Sequence, residues 1–434
     1  MLLLLNTSER KKMIKCPTKE KQWLSWLYVA IWTLCVFSVI PMARLIQKYV
    51  YQTWGRELFT YGVISVTMIA LAVSIIYVYR LRLNSRTSYF WLIAVAGIIF
   101  AYTLALGKQQ PEESVHFILF GVLGVLVYRA LTHRLKDFSI FLAGAIICSC
   151  IGIIDEFIQW MTPRRLWDLR DIGLNLFSSA LVQVAIAKGL RPAFILQGIS
   201  RESLRFMCSL AITAVVLLGG SLLMTPPRIV WISERIGFLE FLKHNDSVML
   251  EYGYRYEDPE AGVFRSRFMS HELIQIDRIR AVEAAKILNK FQDEKLYSLF
   301  LGSYTPITDP FVHEARVHLF RRDRYFDNAL KLGDNSKWYA AGLTIALREN
   351  LIMKKYFYNT LKHSNYIWTD EQSALAWQHF LQDDFYDSPV SRDLITRVKE
   401  QQVAAFFVAL ILGLTLFRWY LGKRPEGEAL PEDR

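Results

Sequence analysis

The chain has 434 residues, of which 53% are hydrophobic and 21% charged, and its formal net charge is +11. This composition excludes a disordered or fibrous protein and is typical of a chain that crosses a membrane. The five cysteines have neither metal-ligand nor disulfide-framework spacing, which argues against a redox function.

Eight apolar runs are long enough to cross a bilayer, which takes about 20 residues of helix. They cover residues 23–43, 58–79, 89–106, 114–132, 138–159, 171–187, 206–225 and 403–421. The sequence therefore predicts an all-α polytopic membrane protein with about eight transmembrane helices. The first run lacks a small-residue cleavage motif, so we expect it to remain as an anchor.

Lysine and arginine are distributed unequally between alternate short loops. The segments that include both termini carry 18 of these residues, and the opposite loops carry 7. Because basic loops stay in the cytoplasm, we expect a plasma (inner) membrane protein with cytoplasmic termini. The surplus of positive charge is thus a topology signal, and no nucleic-acid partner is predicted.

The same reasoning divides the chain into six parts. They are a cytoplasmic tail (1–22), two transmembrane helices (23–88), a four-helix membrane domain (89–190), the seventh helix (191–225), an extracytoplasmic domain (226–402), and the eighth helix with a cytoplasmic tail (403–434).

Polar residues gather at the predicted outer ends of the fourth, fifth and sixth helices. In the fifth and sixth helices and their loop they are Asp155, Glu156, Gln159, Arg165, Asp168, Asp171 and Asn175, and in the fourth Glu112, Glu113 and His116. Four-residue spacing, as from Asp171 to Asn175, places such side chains on one helix face. Ionisable groups within a bilayer are costly and usually functional, so the sequence predicts a site here.

At these residues the chain resembles the VanZ-like family, whose named member is associated with resistance to the glycopeptide antibiotic teicoplanin. The matching residues are Asp155-Glu156, Gln159, Pro163, Arg165, Asp171 and Asn175, with His116-Phe117 and Phe120 upstream. Two positions depart from the family pattern, because Phe120 replaces a tyrosine and Ser178 a glycine. The resemblance covers about residues 89–190 and implies a membrane protein of the cell envelope.

The leading hypothesis is an outer-leaflet site that binds or modifies an envelope lipid or a cell-wall precursor. Adjacent carboxylates suit general acid and base chemistry, so the candidate catalytic residues are Asp155, Glu156 and His116. The candidate substrate-binding residues are Gln159, Arg165, Asp168, Asp171 and Asn175, with Arg165 placed to hold an anionic group such as phosphate. Membrane lipids are the expected partners, no cofactor is predicted, and protein partners are left open.

Several alternatives stay open. The polar residues can form a purely structural network that holds three helices together. A divalent metal could use Glu112, Asp155, Glu156, Asp171 and His116, but no dedicated spacing indicates one, and no metal ligand is predicted. The protein can also be a non-enzymatic scaffold whose outer domain recruits envelope partners. A transporter ranks third because no ionisable residues continue towards the cytoplasm.

The predicted outer domain, 226–402, has nearly balanced charge, with 24 basic and 25 acidic residues. Apolar spacing predicts helices over 272–290 and 339–361, and alternation over 248–254 predicts a strand. We therefore expect a mainly helical domain. His313 and His318 are five residues apart, whereas the zinc-protease motif needs four, so a charged helix face is the favoured interpretation.

Overall fold

The computed structural model describes residues 20–80, 86–163, 165–196, 198–244, 249–334, 337–382 and 385–423. The predicted tails therefore lie almost wholly outside the described residues. Contacts divide the chain into two compact units. In its described part, the first unit contains residues up to 220 and from 406 onwards, and the second contains 221–405.

Eight helices in the described part of the chain are long and apolar enough to cross a membrane. They run over Gln22–Thr53, Glu57–Arg80, Arg86–Gly107, Pro111–Leu131, Ser139–Trp160, Leu169–Leu190, Arg201–Leu222 and Glu400–Lys423. Each overlaps one predicted apolar run, so the prediction of eight such helices is confirmed.

The first unit begins with eight α-helices, numbered in chain order. They are α1 (Gln22–Val39), α2 (Ala43–Thr53), α3 (Glu57–Arg80), α4 (Arg86–Gly107), α5 (His116–Leu131), α6 (Ser139–Trp160), α7 (Leu169–Val184) and α8 (Arg201–Leu222). A 3-10 turn, Ile40–Met42, joins α1 to α2, and another, Pro111–Val115, leads into α5. A π-helical turn, Ala185–Leu190, extends α7.

Helices α5, α6 and α7 pack closely because glycines face bulky polar side chains. A methyl group added to Gly152 on α6 would lie 2.9 Å from Asn175 Cβ on α7, and one added to Gly144 would lie 3.0 Å from the Gln183 side chain. Gln183 also donates a hydrogen bond to the Gly124 carbonyl on α5 at 2.9 Å. These contacts bring the polar faces of α6 and α7 together.

The second unit combines helices with one hairpin. Its elements are α9 (Pro226–Arg235), β1 (Tyr254–Asp258), β2 (Gly262–Ser266), α10 (Ser270–Lys290), α11 (Tyr297–Ser303), α12 (Pro310–Leu332), α13 (Lys337–Tyr356), α14 (Tyr358–His363) and α15 (Asp370–Gln378). Short 3-10 helices cover Gly237–His244 and Glu294–Leu296. Buried residues of β2, α10, α12 and α13, among them Phe264, Leu273, Phe311 and Leu343, form its core.

The last helix, α16 (Glu400–Lys423), returns the chain to the first unit. There Phe407 packs against Gly219 of α8 so closely that a methyl group on the glycine would lie 2.9 Å from the ring. Within the second unit, Arg228 near its beginning forms an ion pair with Glu400 near its end.

Of the two helices predicted in the second unit, one is confirmed and the other is divided into two. The one over 272–290 lies within α10, which confirms it. The one over 339–361 is two helices, because α13 ends at Tyr356 and α14 begins at Tyr358. Phe357 between them is fully buried with φ −126° and ψ 33°, so anchoring its ring interrupts the helix.

The strand predicted over 248–254 is wrong in position. Val248 lies outside the described residues, and the strands pair Tyr254 with Ser266 and Asp258 with Gly262. The turn decides this register: Asp258 Oδ1 accepts bonds from the backbone N–H groups of the two residues preceding Gly262, at 2.9 and 2.8 Å, and Gly262 adopts φ +86°. A backbone position with positive φ favours glycine, so the turn falls at Gly262.

Candidate functional site

The adjacent carboxylates near the C-terminal end of α6 are held by one amide. Asp155 is 3% exposed and Glu156 is fully buried. Gln159, one turn further along, donates from Nε2 to Asp155 Oδ2 at 3.0 Å and to Glu156 Oε1 at 2.6 Å. The predicted helical spacing thus brings all three side chains together.

Arg165 reaches this pair through Gln159. Its guanidinium donates to Gln159 Oε1, and no described carboxylate lies within ion-pair distance of it. Arg165 lies in the loop after α6, where burial and the charge of Arg44 on α2 lower the pKa of its guanidinium. Because an arginine still keeps its charge at neutral pH, the site holds a cation, with a second one, Arg44, within electrostatic range.

Asp168 occupies a structural position between the helices. It is the N-cap of α7, where its Oδ1 accepts a bond from the Arg170 backbone N–H at 2.7 Å. Its own N–H donates to Glu156 Oε2 at 3.1 Å. Such a cap typically stabilises a helix by about 1 kcal/mol, so Asp168 ties the start of α7 to the end of α6.

His116, at the start of α5, reaches the site by bonding a side chain of α7. Its Nδ1 lies 2.6 Å from Asn175 Oδ1, which fits an imidazole N–H donating to the amide oxygen. The ring stacks on Phe120, with ring centroids 6.2 Å apart. His116 lies within electrostatic range of both Asp155 and Asp171. Three helices therefore meet at one place, as the sequence predicted.

Several buried polar atoms here have no hydrogen-bond partner among the described residues. They are Asp155 Oδ1, Asp171 Oδ1, Asn175 Nδ2 and Arg165 Nε. Each such atom costs about 1–3 kcal/mol, and buried polar groups in proteins are nearly always satisfied. Both acceptors and donors are unsatisfied, so the site can accept hydrogen bonds from one group and donate them to another.

The two glutamates before α5 differ in their surroundings. Glu112 accepts bonds from Gln47 at 2.7 Å and from the Tyr51 hydroxyl, both on α2. Glu113 pairs with Arg170 and lies within electrostatic range of Asp171. Glu112 is thus occupied by α2, whereas Glu113 lies beside the cluster.

The sequence did not indicate Gln47, Tyr51 or Arg170, which bond the two glutamates. The four-residue spacing of Gln47 and Tyr51 was a readable signal of a shared helix face, and Arg170 directly precedes Asp171.

The arrangement of donor atoms does not favour the metal alternative. Within the described ranges, no group of three or more His, Cys, Asp or Glu side chains is arranged to hold a metal ion. In the second unit, His313 Nδ1 bonds the Tyr304 carbonyl at 2.7 Å, and His318 Nδ1 bonds Glu349 at 2.5 Å. The two histidines thus face separate partners.

Below, "polar cluster" denotes His116, Asp155, Glu156, Gln159, Arg165, Asp171 and Asn175. The resemblance to the VanZ-like family rests on these residues, on Pro163, Phe117 and Phe120, and on their spacing. In comparisons with known proteins, the chain matches no family model, no curated protein and no solved structure.

Proposed function

We propose that the chain is a multi-pass plasma-membrane protein of the cell envelope whose polar cluster binds the headgroup of an envelope lipid or a lipid-linked cell-wall precursor. One observation carries this proposal. Unsatisfied acceptors on Asp155 and Asp171 lie in the same cluster as unsatisfied donors on Asn175 and Arg165. A ligand that supplies both complements would remove these costs.

The chemistry of the cluster restricts the ligand. Carboxylate oxygens need a hydroxyl or ammonium hydrogen, whereas a guanidinium and an amide N–H need an oxygen acceptor such as a phosphate. Headgroups that combine a phosphate with amino or hydroxyl groups carry both. The cluster joins helices whose apolar length suits a bilayer, so a lipid-borne headgroup is the favoured source.

A modification reaction would use the adjacent carboxylates. In that case Glu156 or Asp155 acts as the general base towards a ligand hydroxyl, Arg165 holds the anionic group, and His116 assists proton transfer. A change in an envelope lipid or wall precursor is also a direct route to altered glycopeptide (teicoplanin) susceptibility, which the VanZ-like resemblance suggests.

The test combines lipid mass spectrometry with matched variants. Glu156→Gln and Asp155→Asn remove charge while keeping shape, and Glu112→Gln makes the same change outside the polar cluster. We expect a phospholipid or lipid-linked sugar to co-purify with the wild type and the Glu112 variant, and to be lost or altered in the other two. Retention of the same lipids by folded variants of both cluster carboxylates would contradict the proposal.

A second candidate is a membrane scaffold that recruits envelope partners through the second unit. It is favoured by that unit's own hydrophobic core and by the exposed aromatic residues Trp231 and Phe238, which are 57% and 75% exposed. Replacing 226–402 with a short linker separates the two candidates. The scaffold predicts loss of cellular function with the cluster lipids unchanged.

A further inference from the structure

A cavity of about 350 Å³ lies beside α12 in the second unit. Its wall combines arginine, carboxylate, amide and aromatic side chains, among them Arg316, Arg322, Asp327, Tyr366 and Trp368. This volume is within the range of pockets that hold small molecules in proteins. The cavity shares no residue with the polar cluster.

Arg316 brings a buried and incompletely compensated charge to this wall. It is 2% exposed, and its Nε and Nη2 donate to the Phe291 carbonyl at 3.3 and 3.1 Å. No carboxylate of the described residues lies within 4 Å of its guanidinium. The rings of Tyr297, Phe320 and Tyr366 lie 5.0 to 5.7 Å away and offset only part of the charge. An unpaired buried cation is costly, so an anion here would stabilise it.

Arg322 adds a second guanidinium. It is also 2% exposed and bonds Asp323 at 2.7 Å and Asn350 Oδ1 at 3.1 Å. Burial lowers the pKa of Arg322, and the positive charge of Arg316 lowers it further. Asp323 hydrogen-bonds Arg322 but not Arg316, although its charge acts on both arginines. The pair therefore keeps capacity for an anionic group, and guanidinium forks bind carboxylates and phosphates in a bidentate manner.

The remaining wall suits a hydroxylated ring. Tyr366 and Trp368 supply buried aromatic surface, while Asp327, Asn365 and Gln372 supply acceptors and donors around it. A sugar presents an apolar C–H face to aromatic rings and hydroxyls to carboxylates and amides. A purely apolar ligand would leave these polar groups unpaired.

We propose that this cavity binds a small anionic sugar, one that carries a carboxylate or a phosphate group facing Arg316 and Arg322. The site gives the second unit a ligand of its own, independent of whether the polar cluster binds lipid.

Calorimetry on the full chain in detergent micelles tests this with four probes: glucuronate, glucose 6-phosphate, glucose and inorganic phosphate. We expect saturable binding of the two anionic sugars, with glucose and phosphate each weaker by about tenfold or more, since each lacks one half of the recognition. Absence of binding by both anionic sugars would overturn the proposal. So would glucose binding as tightly as glucuronate, or phosphate as tightly as glucose 6-phosphate.

Variants locate the site. Arg316→Lys keeps the charge but removes the fork, and we expect it to weaken glucuronate binding about tenfold. Arg324 is an exposed arginine of the same wall, so its position tolerates substitution better than that of Arg316. We expect Arg324→Gln to weaken glucuronate binding about threefold. Arg278→Gln, an exposed arginine on α10 away from the cavity, is the matched control and should bind as the wild type does. If Arg316→Lys does not fold, Arg324→Gln decides, because unchanged affinity there would contradict the assigned site.

Discussion

Gly152 on α6 and Asn175 on α7 are in direct contact, at a separation that leaves no room for a methyl group between them. Asn175 in turn bonds His116, so the same contact sets where the imidazole lies. One glycine thus controls the geometry of three helices at the polar cluster.

We predict that Gly152→Ala destabilises the first unit by about 1–3 kcal/mol, because the new methyl group would lie 2.9 Å from Asn175 Cβ. Gly173→Ala on α7 is the control, since nothing lies within 4 Å of its added methyl group. That control should be neutral or slightly stabilising, as alanine favours helix. Unfolding in mixed micelles measures both, and equal stability of the two variants would contradict this packing.

The orientation of the chain can be tested with single cysteines in a cysteine-free background. Lys286 on α10 and Lys188 in the turn after α7 are both exposed. The excess of basic residues in alternate loops predicts that Lys286 lies outside and Lys188 inside. A membrane-impermeant maleimide should label Lys286→Cys on intact cells and Lys188→Cys only after lysis. The opposite labelling pattern would show that the chain has the inverse orientation.

His313 makes the second unit sensitive to acid. Burial lowers the pKa of its imidazole to about 4, with Arg267 lowering it and the Tyr304 carbonyl and Asp309 raising it. The unfolded chain has a histidine pKa of about 6.5. Between these values the unfolded state binds more protons, so the histidine's contribution is complete above pH 6.5 and is lost as the pH falls towards 4.

The contribution of His313 to the free energy of unfolding falls by about 3 kcal/mol between pH 6.5 and pH 4. His313→Gln keeps a donor for the Tyr304 carbonyl but does not titrate. We expect urea unfolding curves of wild type and variant to converge as the pH falls from 6.5 to 4. Parallel pH profiles would show that His313 is not the titrating group.

Glu349 on α13 joins α12 to the C-terminal segment of the second unit. It is fully buried and accepts bonds from His318, Ser388 and the Tyr386 hydroxyl, with Arg321 3.2 Å away. Burial alone would raise the pKa of Glu349, but His318 and these bonds hold it below its ordinary value.

Glu349→Gln should therefore destabilise the second unit by about 3–5 kcal/mol, because it leaves Arg321 without its counter-charge and disrupts a buried hydrogen-bond network. Glu283→Gln removes a carboxylate that is 60% exposed and pairs with Arg280 three residues earlier. This control should change the free energy of unfolding by less than about 1 kcal/mol. Similar losses in both variants would argue against a special role of the buried glutamate.

The polar faces of α6 and α7 were predictable because helical periodicity states which residues share a face. The bond between Gln159 and Arg165 was not predictable, because Arg165 lies in the loop after α6, where helical periodicity does not apply. In the structure, the Arg165 guanidinium in that loop donates to the Gln159 amide oxygen, and its expected role in holding an anionic group stays a prediction.

Partners distant in sequence were also beyond prediction. Glu112 bonds side chains on α2 more than 60 residues earlier, and only tertiary packing brings them together. The break at Phe357 has the same origin, because the helical spacing continues through it while the burial of its ring requires a different backbone. Periodicity thus predicted the elements and failed where single side chains anchor them.

The contact of Gly219 with Phe407 has a practical consequence for engineering. The chain leaves the first unit and returns to it at neighbouring points, and the second unit closes its own ends through Arg228 and Glu400. We therefore expect that residues 226–402 can be replaced as one segment. A fluorescent protein or another domain with adjacent termini could be inserted in their place, giving a reporter for the first unit whose two flanking helices need not separate.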